Sequence, residues 1–342
     1  MPELGNEWPT LIDLQSRLDE YGSVAPIMEM LARQNPIITD AVYQQCNNGT
    51  KHRTVIRTGI PEPTYRRFNR GVPATKTTTI PIEETTAMLE DYSNVDKEMV
   101  DISGNAAAFR ASESRGKVQG FNNKVSRDIF YGSTAVTPEG FMGMTPRYSD
   151  PAAQSASQVV NAGGTGSDNT SIWFITWGDA STHLLHPANM PVGLQHRDLG
   201  EVTAEDDEGG YFQAYRDWFR WHIGMSVKDW EGNVRIGGID VSALTKDAAT
   251  GADLIDLMTE GSSRLNTGLV NEGKTIIYAN RTVMSYLRRQ ARNAKNVQLS
   301  YEQVLGWDGK ERRELYFDGF PVHQTDALLT TEAALPAGFT AF

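Results

Sequence analysis

Residues 50 to 85 constrain this chain more than any other stretch. "TKHRTVIRTG" (50–59) and "ATKTTTIPIEE" (74–84) are rich in Thr, Val and Ile, which suit extended strands, while "IPEPTYRRFNRGVP" (60–73) is broken by Pro61, Pro63, Gly71 and Pro73. Two strands joined by a long irregular tip describe an extended hairpin over 50–85. A two-stranded ribbon is marginally stable at best in water, and these arms carry Thr and charge where a self-sufficient hairpin would alternate core residues. The hairpin therefore requires a surface that it does not itself supply.

Charge sharpens the point. Between 51 and 70, Lys51, Arg53, Arg57, Arg66, Arg67 and Arg70 face only Glu62, a balance of +5. Between 83 and 101, Glu83, Glu84, Glu90, Asp91, Asp96, Glu98 and Asp101 face only Lys97, a balance of −6. A stiff ribbon points its tip away from its own base, so the natural partner of the basic segment is the acidic segment of another copy. Arg53, Arg57, Arg66, Arg67 and Arg70, with Glu83, Glu84, Glu90 and Asp91, are the expected contact residues between subunits.

The whole chain carries 32 Lys and Arg against 43 Asp and Glu, a net charge of −11, so its average surface repels nucleic acid. Its longest apolar run, around "IWFITW", is far too short for a membrane-spanning helix. The start, "MPELGNEWPTLIDLQSRL", has neither a basic leader nor an apolar signal region. Cys46 is alone, which excludes an internal disulfide and a cysteine-based zinc site. These features suit a reducing cytoplasm.

Along the rest of the chain an α+β pattern emerges. The first fifty residues, divided by Pro9, Pro26 and Pro36, hold two helical candidates, "LIDLQSRL" and "IMEMLARQ", and read as an arm. "NAAAFRASESRGKVQGFNNKVSRDIFYG" (105–132) reads as one long helix with Val118, Phe121, Val125 and Ile129 on its apolar stripe, Asn105 as N-cap and Gly132 as stop. Residues 150 to 170 read as an exposed flexible loop. Beyond it, strand candidates "SIWFITWG", "VRIGGIDVS", "TIIYAN" and "ELYFDGFPV" alternate with helices at 252–269 and 281–294. The cluster "YFQAYRDWFRWHIGMSVKDW" (211–230) places Phe212, Tyr215, Phe219 and His222 or Ile223 at helical spacing, a core face in preference to a platform for nucleic-acid bases.

Several motifs invite an enzymatic reading. "GLVNEGKT" (268–275) matches the phosphate-loop template through Gly268, Gly273, Lys274 and Thr275, which makes a nucleotide-binding enzyme the alternative function. That template needs a strand before the loop and a helix after it; here the apolar spacing predicts a helix before and a strand after, the wrong dipole end for a phosphate. His183 and His186 lack a third metal ligand nearby. "EDDEGG" (205–210) lacks calcium-loop spacing. Ser181, His196, Asp198 and Glu201 include the residue types of a catalytic triad without a nucleophile turn. Arg288, Arg289, Arg292 and Lys295 suit a solvated helix face or a subunit contact better than a DNA site. The expectation is a non-enzyme with no metal, no cofactor and no membrane association.

The segments "LARQNPIITDAVYQQCNNGTKHRTVIRTGIPEPTYRRFNRGVPATKTTT", "AMLEDYSNVDKEMVDISGNAAAFRASES", "WGDASTHLLHP", "GLQHRDLG", "WEGNVRIGGIDVS" and "FDGFPVHQTDAL", in this order over about residues 27 to 330, resemble the major capsid proteins of short-tailed (podovirus-type) double-stranded DNA phages. The resemblance implies the Hong Kong 97-type fold: an N-terminal arm (1–49), an E-loop hairpin (50–85), a peripheral domain with a spine helix (86–135, the helix about 105–131), an axial domain with return strands of the peripheral domain (136–325), and a C-terminal tail (326–342). It implies self-assembly into pentamers and hexamers of an icosahedral head that encloses double-stranded DNA without reading its sequence. The implied partners are other copies of the chain, a separate scaffold protein, a portal protein at one vertex and a cement or decoration protein. The implied location is the virion, after assembly in the host cytoplasm. Some relatives crosslink subunits through Lys and Asn; the spacing of Lys51, Lys76 and Asn69 gives no support for that chemistry here.

Overall fold

A computed structural model describes residues 35–59, 61–102, 106–206, 209–248, 251–293, 299–305 and 311–339. The two helical candidates of the arm and the cap residue Asn105 lie outside the described residues. In chain order the elements are α1 (Ile37–Asp40), β1 (Tyr43–Gln45), β2 (Lys51–Gly59), β3 (Thr78–Asp96), α2 (Lys97–Ile102), α3 (Ala106–Tyr131), α4 (Met144–Arg147), β4 (Val159–Asn161), β5 (Asn169–Trp177) and β6 (Thr182–His186). They continue with β7 (Gln195–Glu205), β8 (Tyr211–Val227), β9 (Asn233–Asp240), α5 (Leu254–Arg264), α6 (Thr267–Glu272), β10 (Lys274–Ala279), α7 (Arg281–Asn293), β11 (Leu299–Leu305), β12 (Glu311–Phe317) and β13 (Phe320–Gln324). The α+β class matches the expectation. The chain forms two compact units, one built from residues 88–126 and 192–222 and the other from 35–87, 127–191 and 223–342 among the described residues.

In the first unit β7 and β8 form a long antiparallel pair, from Gln195 opposite Arg220 to Glu205 opposite Tyr211, with a register shift at Asp198–Gly200. Gly200 sits there at φ 73°, the left-handed region that accommodates the bulge. The strand β8 corrects the helical reading of 211–230. Along it Asp217, Phe219, Trp221 and Ile223 are buried and the residues between them only half-buried, so the period there is two, and the three- and four-residue spacing of Phe212, Tyr215 and Phe219 is coincidental. Its aromatic and β-branched residues suit a pleated surface. A small core of Val95, Met99, Val100 and Phe109 packs with Tyr215.

Helix α3 agrees with the expected long helix. Phe121, Val125 and Ile129 are buried on its stripe, whereas Val118 is 44% exposed and does not belong to it.

The second unit is organised around β5, in which every residue from Asn169 to Trp177 is buried. Both edges of β5 are paired antiparallel, with β10 on one side and β9 on the other; β10 in turn pairs in parallel with β13. A strand covered on both faces reads as an unbroken apolar run, which is what "IWFITW" is. Ile172, Phe174, Ile236, Met258, Ile277 and Leu287 belong to the main core, where α5 lies against β9 and α7. Burying each such side chain contributes ~1.5–3 kcal/mol.

The helical prediction over 252–269 becomes two helices, because Asn266 accepts a hydrogen bond from the Gly268 N–H and starts α6. Residues 150–170 are more ordered than a flexible loop: a 3-10 turn at Gln154–Gln158 leads into β4, whose Val159 and Val160 are buried and which pairs in parallel with β9. Near the C-terminus, Glu332 is buried and accepts from Arg235 at 2.9 Å, the Ser171 hydroxyl at 2.6 Å and the Tyr131 hydroxyl at 2.5 Å. That network ties the last residues to β5 and β9.

Candidate assembly surface

The hairpin is present: β2 and β3 pair antiparallel from Lys51 opposite Thr85 to Gly59 opposite Thr78. Arg53 stands directly across from Glu83, and the Glu83 carboxylate lies 3.9 Å from both Lys51 Nζ and Arg53 Nε. These are half-exposed pairs worth ~0–1 kcal/mol each, so Glu83 is loosely held. Residues 61–77 contain no helix or strand. At the tip, Arg66 Nε donates to the Arg70 carbonyl at 3.1 Å and the Arg70 N–H donates to the Arg67 carbonyl at 3.3 Å, while Asn69 adopts φ 60°. This turn gathers Arg66, Arg67 and Arg70. Tyr65 and Phe68 beside them are fully exposed, and Val55, Val72 and Ile80 are exposed as well. Large apolar side chains on a ribbon surrounded by water mark an interaction surface. The stretch "TYRRFNR" contains this aromatic pair, but composition alone does not separate exposed aromatic residues from buried ones.

The base of the hairpin is anchored differently from its tip. Glu84 is buried and accepts two parallel bonds from Arg147 of α4, at 2.7 and 2.9 Å. Arg147 also donates to the carbonyls of Met142 and Gly143, each at 3.2 Å. This is a correction to the expected contact set: Glu84 is committed to its own chain, because β3 turns alternate side chains inward and 84 falls on the inward register. Glu90 is exposed; Asp91 pairs with Lys117 at 2.9 Å in the first unit. The Arg57 side chain lies outside the described residues.

Deeper in the same unit, His52 of β2 and His183 of β6 meet edge to face at 5.7 Å. Both rings are buried, and neither nitrogen of His52 has a hydrogen-bond partner among the described residues. Burial pushes the pKa of His183 down to about 4, with Lys228 acting in the same direction. His186 stands three residues along a strand and so projects from the opposite face, which prevents the two from sharing a metal ion.

The motifs with enzymatic overtones have structural occupations. Around 268–275 the order is helix α6 then strand β10. Gly273 is there because a Cβ would come within 2.7 Å of Thr176 Cγ2 and 2.8 Å of the Trp177 carbonyl. The Thr275 hydroxyl is buried against that of Thr176 at 2.8 Å, and Lys274 begins β10 opposite Trp177. His196 Nε2 lies 2.9 Å from Asp217 Oδ1, but Asp217 is also gripped by Arg110, which reaches Asp198 at 2.7 Å and holds its carboxyl below the ordinary range. Glu201 bonds Lys97 and Tyr215, and the buried Ser181 donates to the Thr176 carbonyl. His196 and Asp198 thus share the Arg110–Asp217 network, while the Glu201 carboxylate and the Ser181 hydroxyl are committed to other partners. Among the described residues no group of three His, Cys, Asp or Glu side chains gathers as metal ligands, and no helix is long and apolar enough to cross a membrane.

The family model for the major capsid protein GP7 matches residues 19–336. The chain belongs to that family of major capsid proteins. A chain in the structure of bacteriophage Epsilon15 is 44% identical, with 98% of this chain and 100% of that chain covered and a TM-score of 0.78. A chain of the bacteriophage JBD30 capsid is 10% identical over 88% of this chain and 93% of that chain, with a TM-score of 0.50, and shows a shared fold. Curated proteins provide no match. The fold of this capsid protein is the Hong Kong 97 type, and the chain is a structural component of the virion.

Proposed function

We propose that this capsid protein assembles into hexamers and pentamers that close into an icosahedral head around double-stranded DNA. The observation that carries the reading is the hairpin, fixed at its base by Glu84 and Arg147 and offering Tyr65, Phe68 and three arginines to solvent at its tip. A ribbon so built is suited to lie on a neighbour, and a contact repeated around a closed ring multiplies a modest energy. The division into arm (1–49), E-loop (50–85), peripheral (86–135), axial (136–325) and tail (326–342) regions belongs to this reading. So do a scaffold protein, a portal, a cement protein, assembly in the host cytoplasm and the absence of catalytic activity. The net charge of −11 supports enclosure of DNA without adhesion to it.

In the clasp between subunits, Arg53, Arg57, Arg66, Arg67 and Arg70 of one copy approach Glu83, Glu90 and Asp91 of the next. Electron microscopy of particles formed by the expressed chain with its scaffold tests the reading directly. Shells are expected from the native chain, none from R66E/R67E, and partial recovery when E83K/E90K is added. Normal shells from R66E/R67E would remove the clasp from the mechanism.

A further inference from the structure

Helix α7 is amphipathic in an unusual way. Val283, Met284, Leu287 and Gln290 are buried, while Arg281, Ser285, Arg288, Arg289 and Arg292 are exposed on the other side. Four of those five exposed residues are arginines, and they line one open cleft of about 650 Å3 together with Met284 and Tyr301. Arg281 is paired with Asp326 at 3.0 Å. Arg288, Arg289 and Arg292 have no carboxylate partner among the described residues. Arg289 is stacked over the Tyr286 ring at 5.1 Å, which limits its freedom and so lowers the entropy it would lose on binding. Tyr301 is 57% exposed.

In a chain of net charge −11, three adjacent unpaired arginines repel one another without any local return in the free subunit. Like charges held at helical spacing imply an anionic occupant. The surroundings favour a protein: Arg, Tyr and Met are enriched at protein–protein contacts, and the cleft floor supplies apolar surface that a phosphate chain would not use. The same unit also exposes Asp247, Asp253 and Asp256, none of them ion-paired among the described residues. Asp253 and Asp256 lie at the start of α5, the helix packed beside α7, and an acidic face next to a basic one gives two identical copies a complementary contact.

We propose that the arginine cleft of α7 receives carboxylates from a second copy of this chain, forming a contact separate from the hairpin. This inference rests on the capsid reading. The two fail differently: loss of the reading would show in the native chain, and loss of the contact only in the difference between native chain and variant.

The test compares the native chain with R288E/R289E/R292E by circular dichroism of the soluble subunit and by sedimentation and electron microscopy of shells. The expected result is an unchanged spectrum with at least a tenfold drop in shell yield. A second variant, R288K/R292K, preserves charge and supplies amines. After assembly and treatment with a carbodiimide, peptide mapping is expected to find amide links between position 288 or 292 and an Asp or Glu of another copy. Native shell yield from the triple variant overturns the proposal. So do shells of normal number that hold less nucleic acid, which would make DNA the occupant, or lysine links confined to one copy.

Discussion

Replacing Glu84 by Gln keeps the shape of the hairpin base and removes one charge. The native carboxylate takes two guanidinium bonds at 2.7 and 2.9 Å, with side-chain exposures of 9% for Glu84 and 18% for Arg147. Breaking a buried pair from one side costs ~3–5 kcal/mol, because the remaining charge keeps its desolvation penalty without its partner. Arg147 retains some access to water and two backbone acceptors, so E84Q should cost about 3 kcal/mol, toward the low end of that range. R147M should cost a similar amount. The double variant E84M/R147M leaves no orphaned charge and should recover most of the loss, to within about 1 kcal/mol of native. Urea unfolding of the soluble subunit gives the three values, and hydrogen exchange at 51–59 and 78–87 locates the change. Exchange in those strands should rise in E84Q and in R147M and return close to native in the double variant. A cost for E84Q below about 0.5 kcal/mol, or a double variant whose cost equals the sum of the singles, would refute the view that this pair fixes the hairpin base.

Acid should weaken the second unit through its buried histidines. His183 titrates at about 4 when folded against an ordinary 6.5, so between those values the unfolded chain holds a proton that the folded chain refuses. Its stabilising effect is complete above pH 6.5 and is lost as pH falls toward 4, by ~3 kcal/mol. His52, also shifted downward by burial, acts with the same sign; Lys228 opposes protonation of both rings, while Glu84 near His52 and Asp179 near His183 favour it. Melting curves from pH 7 to 4.5 should show this slope, reduced in H183L. At Gly143 an added Cβ would meet the Asp128 carbonyl at 2.5 Å and the Gly132 nitrogen at 2.8 Å, so G143A should lower stability by ~1–3 kcal/mol in the same unfolding assay. K274A should leave shell formation unchanged, and the native chain should hydrolyse no ATP above background in a phosphate-release assay. The hairpin tip, residues 61–77, should exchange its amides rapidly in free subunits and slowly in shells; equal protection in both states would contradict a role at the contact between copies.

Local chemistry alone determined much of this protein. The hairpin was legible because Thr-rich arms around a Pro-rich tip allow little else, and α3 because its stripe of Phe121, Val125 and Ile129 has a single period. The helix-to-strand order around "GLVNEGKT", the reverse of what a phosphate loop needs, was legible too from the apolar spacing on either side. Tertiary structure decided the rest. Aromatic residues in 211–230 satisfy helical and strand spacing at once, and only pairing with β7 selects the strand. Glu84 resembles its neighbour Glu83 in sequence, yet strand register turns one toward Arg147 and the other toward Lys51 and Arg53. No sequence period reports that difference, because Arg147 is sixty-three residues away. The arginines of α7 likewise appear as four charges along a helix, and become a cleft only where Tyr301 of β11 is brought beside them. Sequence sets the preferences of single segments; what each side chain faces is set by the packing of segments far apart in the chain.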